Sequence, residues 1–233
     1  MDGVTRRKFL QMMGGLGALG VAPAGLATPA AVAAEGAQAP ASFQYLNDRE
    51  AAFLRAAVDH LIPADERWPS AAEAGVVNYI DRQLAGAYGH GHRLYLQGPW
   101  PAGTPQQGYQ LRLTPRELYS LGIAAVEARL QEDGAAFAEL GAQAQVRVLE
   151  QLEQGELELE PLPAPVFFET LLANTIEGYF ADPAYGGNRD MAGWRMVGFP
   201  GAYSQYVKEI ERHGVPFTRP PMSMMQSARR PHG

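Results

Sequence analysis

The chain has 233 residues, 46% of them hydrophobic, which suits one domain with a real core and is short for two enzyme domains. Its 25 acidic residues against 19 basic ones give a formal charge of −6, which argues against a polyanion such as nucleic acid as a partner. The absence of cysteine excludes disulfides, thiolate zinc sites, iron–sulfur clusters, a cysteine nucleophile and covalent c-type haem attachment.

The chain opens with Thr5-Arg6-Arg7-Lys8-Phe9-Leu10, followed by an uncharged Gly- and Ala-rich stretch that ends in the cleavage pattern Ala31-Val32-Ala33. Arg6 and Arg7 identify this as a twin-arginine export signal. The expected organisation is a signal peptide over 1–34, a polar linker over 35–45 and one domain over 46–233, with the mature protein periplasmic.

Beyond the linker the sequence predicts successive helices. Asn47 and Glu50 form a capping box ahead of a stripe of Phe53, Ala56, Ala57 and Leu61, and Pro63 stops the helix. Ser70 and Glu73 form a second box, which opens a segment carrying Val76, Tyr79, Ile80 and Leu84 that ends at Gly86 and Gly89. Thr114-Pro115 with Glu117 is the strongest start, because Thr caps, Pro suits the first helical position and Glu reaches back. The apolar face expected there runs Leu118, Leu121, Ala125, Arg129 and Leu130. Val146, Leu149 and Leu152 mark a fourth helix ending at Gly155. Pro165 starts a fifth, with Phe168, Leu171, Leu172, Thr175, Ile176 and Tyr179, which Asp182-Pro183 terminates. No segment alternates with period two between hairpin turns, so the expected fold class is all-α.

Two stretches, 86–113 and 181–233, resist the helical pattern and are expected to be long irregular loops. They are rich in Trp, Tyr, Arg and Gly, which fits ordered contact surfaces better than disorder. Trp100, Tyr109, Arg112, Arg189, Trp194, Arg195, Phe199 and Tyr203 are of the types that anchor protein interfaces, while large aromatics in loops equally serve to pin those loops onto their own core.

Motifs for independent catalysis are missing. There is no nucleotide-binding glycine motif, no G-x-S-x-G elbow and no H-E-x-x-H, and none of the five histidines has Glu three residues before it. His90 and His92, two apart in a Gly-rich loop, are the one pair with the spacing to share a metal or serve a site of the chain's own, without an acidic residue or third His nearby in sequence. No catalytic, cofactor-binding or metal-ligating residue is assigned.

Leu61-Ile62-Pro63-Ala64-Asp65, Glu73-Ala74-Gly75-Val76 and Tyr79-Ile80-Asp81-Arg82-Gln83-Leu84 occur in this order, followed by Gln97-Gly98-Pro99, Gly108-Tyr109-Gln110-Leu111 and Leu113-Thr114-Pro115. Asn174-Thr175 with Glu177-Gly178, the long string from Phe180 to Trp194, and Gly198-Phe199-Pro200-Gly201-Ala202 complete the set. In these the chain resembles gluconate 2-dehydrogenase subunit 3. The resemblance implies a small, cofactor-free subunit of a periplasmic, membrane-associated sugar or sugar-acid dehydrogenase. Its partners would be an FAD-bearing, GMC-type catalytic subunit and a haem-bearing cytochrome c subunit. Its role would be to escort the flavoprotein through twin-arginine export and stabilise it.

Overall fold

A computed structural model describes residues 42–101, 103–104, 109–131, 134–160, 162–202, 209 and 211–225. The proposed signal peptide with Arg6 and Arg7, and Tyr203, lie outside the described residues. Six α-helices are present among the described residues: α1 (Asp48–Leu61), α2 (Val76–Ala85), α3 (Pro115–Gln131), α4 (Ala142–Gln154), α5 (Ala164–Phe180) and α6 (Ala192–Val197). Short 3₁₀ turns occupy Phe137–Glu139, Pro183–Tyr185 and Arg189–Met191, and no strand occurs among the described residues, Gly201 and Met222 forming only an isolated bridge. The class is all-α.

Three of the five longer helices, α1, α3 and α4, have local starts or stops that their sequences explain. Asn47 Oδ1 accepts from the Glu50 N–H while Glu50 Oε2 accepts from the Asn47 N–H, closing the expected box at α1. Thr114 and Glu117 do the same at α3, and hydrogen bonds from the Thr114 backbone and hydroxyl hold the Glu117 carboxyl below its ordinary pKa. Gly155, at φ 72°, closes α4 in the left-handed conformation. The Ser70–Glu73 box also forms, but it caps a single turn rather than a helix. Gly75 stands next, at φ 86°, and α2 begins only at Val76.

Helix α5 is the hub. Its sequence is apolar almost all round, and it touches α1, α2, α3, α4 and α6. Phe53 of α1 and Tyr119 of α3 converge on Phe167 of α5, with ring centroids 6.3 and 6.1 Å apart, and Phe53 also meets Phe137 at 4.5 Å. The face of α3 differs from the expected one: Leu118, Tyr119, Gly122, Ile123, Val126 and Leu130 are buried, whereas Leu121 is 40% exposed. Val146 and Ile176 are likewise on the outside of α4 and α5. No helix of the described residues is long and apolar enough to cross a membrane.

Residues Gln44 and Tyr45, expected to be linker, are fastened to the domain. The buried Asp81 carboxylate accepts the backbone N–H groups of Gln44, Tyr45 and Leu46 at 2.8–3.0 Å. The stretch expected as irregular loop after residue 181 carries regular structure, two 3₁₀ turns and α6. The stretch 86–113 carries no helix among its described residues.

Candidate interaction site

The long string Phe180–Trp194 wraps the C-terminal end of α5 and is held by its own polar groups. Asn188 is fully buried; its Nδ2 donates to the Ala181 carbonyl and its Oδ1 accepts from the Gly193 N–H, both at 2.8 Å. Asp182 accepts from the Ala184 N–H and the Met224 N–H, so one carboxylate closes the turn and ties down the returning C-terminal segment. Asn188, Asp190 and Met191 all adopt positive φ, at 46°, 56° and 55°. For residues other than glycine this conformation costs on the order of 1 kcal/mol or more each, so the surrounding contacts force the turn into its shape.

This turn brings two predicted contact residues to the surface and buries a third. Arg189 and Arg195 are exposed and line one open cleft of about 370 Å³ with Arg67, Trp68, Pro69, Glu73, Asp190 and Ala192. Trp194 is only 6% exposed, its Nε1 donates to the Phe180 carbonyl, and its ring is covered by Phe199 at 5.1 Å. It therefore braces the turn from inside. Phe199 remains 48% exposed. Arg67 and Trp68 were not among the residues singled out from sequence; the only local signal was Asp65, whose Oδ1 accepts from the N–H groups of both and shapes the 65–68 turn.

The other predicted set gathers at a second cleft. Trp100 and Arg112 line it with Gln110, Leu111 and Leu113, at about 230 Å³. Tyr109 sits behind, packed on the core, its hydroxyl donating to the Leu113 carbonyl. Burial pushes the Tyr109 phenol up to about 12, with the Tyr88 and Glu117 groups adding to the effect.

His90 and His92 lie with tilted rings whose centroids are 5.9 Å apart, but His90 is engaged at both nitrogens. Arg116 can only donate, so its Nη1 bond of 2.7 Å makes His90 Nε2 the acceptor and Nδ1 the donor to the Gly86 carbonyl at 2.8 Å. No lone pair of His90 is left for a ligand in this arrangement. His60 bonds Gln145 at 2.7 Å inside the domain. Among the described residues no group of three His, Asp or Glu is placed to hold a metal.

One further polar cluster lies between α2, α3 and α5. Asn174 Oδ1 accepts from the hydroxyls of Tyr119 and Tyr88 at 2.9 and 3.1 Å, and its Nδ2 donates to Glu177 Oε2, which the Tyr79 hydroxyl also approaches at 3.4 Å. Desolvation first, then the Glu177 charge, pushes the Tyr79 phenol up to about 12. Every polar atom named here has a partner within the chain, which makes the cluster a helix clamp.

The helical hub thus carries two open clefts lined by arginine and aromatic side chains. The sequence model of the family described as gluconate 2-dehydrogenase subunit 3 matches residues 48–201, and the chain belongs to that family. The family's name is that of a subunit of a multi-subunit dehydrogenase. No curated protein and no solved structure matches the chain.

Proposed function

We propose that this chain is the non-catalytic small subunit of a periplasmic, FAD-dependent sugar or sugar-acid dehydrogenase. It carries no cofactor. It leads a GMC-type flavoprotein subunit through twin-arginine export, by Arg6 and Arg7, and stabilises it in a complex that reaches the membrane through a cytochrome c subunit. The family match over residues 48–201 carries this reading. The clefts support it as well, because they display arginine and aromatic side chains of the types that anchor protein contacts. Contact with the flavoprotein is assigned to Trp100, Arg112, Arg189, Arg195 and Phe199, while Tyr109 and Trp194 hold the two loops in place.

Replacing Arg6→Lys together with Arg7→Lys tests the escort. The reading expects the flavoprotein to accumulate in the cytoplasm with its FAD bound. Undiminished flavoprotein in the periplasm would contradict it.

A further inference from the structure

The cleft of Arg67, Arg189 and Arg195 departs from the charge of the chain around it. The protein has more acidic than basic residues, yet three guanidinium groups converge on one surface cleft. Among the described residues, no hydrogen bond or ion pair within the chain ends on any of the three guanidiniums. The cleft holds two carboxylates of its own. Glu73, whose Oε2 accepts from the Ser70 N–H at 2.9 Å, and Asp190 set two negative charges against the three cations, and the Asp65 carboxylate acts on Arg67 from beside the cleft.

The two walls are also fixed in advance. One wall is Arg67-Trp68-Pro69, shaped by Asp65, whose carboxyl is held below its ordinary pKa chiefly by the Arg67 and Trp68 N–H groups. The other is the strained turn that carries Arg189 and Asp190, followed by α6 with Arg195. Each wall is tied to its surroundings by a bond of 2.8 Å: the Arg189 N–H donates to the Ala74 carbonyl of the neighbouring 70–75 turn, and the Tyr179 hydroxyl of α5 donates to the Pro69 carbonyl. The backbone that carries these arginines is therefore ordered before anything binds, and only their side chains remain to be fixed at association.

We infer that this cleft docks a carboxylate-bearing surface segment of the flavoprotein subunit, an inference that rests on the subunit reading above. Charge complementarity selects that occupant. Guanidinium forks pair bidentately with carboxylates, and the ring of Trp68 and the face of Pro69 offer apolar contact beside them. The cleft is open and includes Asp190, which suits a protein surface of mixed polarity better than a small free anion, whose sites enclose the ligand. Arg189 and Arg195 thus act as anchors, and Arg67 completes the recognition from the opposite wall.

The test uses the tagged full chain co-expressed with the flavoprotein subunit, reading flavin absorbance per captured chain over a series of salt washes. Arg67→Glu, Arg189→Glu and Arg195→Glu should each cut the captured flavin about tenfold, as expected for arginine anchors, and the triple variant should capture none. Arg147→Glu, on the exposed side of α4, should capture as the parent does. Arg189→Lys with Arg195→Lys keeps the charge and loses the fork, so its capture should be intermediate and more salt-sensitive. Unchanged thermal unfolding would show that the variants are folded. A parent chain that captures flavoprotein alongside a triple variant that captures as much overturns the cleft and leaves the subunit reading intact. A parent that captures no flavoprotein overturns both.

Discussion

Gly187 packs backbone to backbone against Gly178 of α5: a Cβ on Gly187 would stand 2.1 Å from the Gly178 carbonyl oxygen. This contact seats the strained turn on the hub helix and so sets the height of Arg189 and Arg195 above it. Gly187→Ala must lift the turn, because the obstructing atom is backbone and has no rotamer by which to yield. Overpacking of this kind costs about 2 kcal/mol, or roughly 4–8 °C of melting temperature in a domain of this size. Thermal unfolding checks this. Gly141→Ala, with nothing within 4 Å of the added carbon, should change stability by no more than about 1 kcal/mol.

Asp81 holds the entry of the chain by three backbone N–H groups from a buried position. Asp81→Ala leaves those donors without their acceptor and is expected to cost about 2–3 kcal/mol. Hydrogen exchange at Gln44, Tyr45 and Leu46 should accelerate more than at the core of α5. Uniform acceleration across the domain would mean that the carboxylate does not act locally.

The Asn174 clamp gives an asymmetric pair of variants. Tyr119→Phe removes one donor and leaves Asn174 Oδ1 bonded to the Tyr88 hydroxyl, so it should cost about 1 kcal/mol. Asn174→Ala strands the fully buried Tyr119 hydroxyl and opens space, so it should cost about 3 kcal/mol. Combining the two should cost less than the sum, since the stranded hydroxyl is gone, and chemical denaturation of the four-protein cycle measures the difference.

Alkali should loosen the domain over a defined window. Tyr79 and Tyr109 keep their protons to about 12 in the folded chain, against 10.0 when unfolded. The native state binds the proton more tightly, so its contribution is fully present below about pH 10 and is lost as pH rises towards about 12. Urea unfolding between about pH 9 and about pH 12 should show stability falling in that interval, with a shallower fall in Tyr79→Phe. A flat profile would contradict the burial of these phenols.

What could be read from the sequence was mostly local. The Asn47–Glu50 and Thr114–Glu117 boxes were legible because the bonded groups lie three residues apart, and α4 because its apolar residues and Gly155 are neighbours. The start of α2 was not, since Gly75 is set by the Gly186 carbonyl oxygen, 2.8 Å from where its Cβ would be, and that oxygen belongs to a distant segment. Helix α3 turned a different face inward, as Tyr119 and Ile123 fill the space against α5 better than Leu121 and Ala125. Helix α6 has six residues, too few to show a period. In the candidate site, Arg189 and Arg195 were chosen by residue type, and type alone could not tell exposed Arg195 from buried Trp194 beside it. Arg67 and Trp68 were missed because the cleft is built by folding two remote segments together.

The central claim is that the chain works as the partner of a flavoprotein. Isolating the tagged mature chain from the periplasmic and membrane fractions and recording the absorbance spectrum of what accompanies it tests this most directly. The account predicts a flavin spectrum and a larger second subunit. A colourless chain recovered alone, with its own ligand or activity, would contradict it.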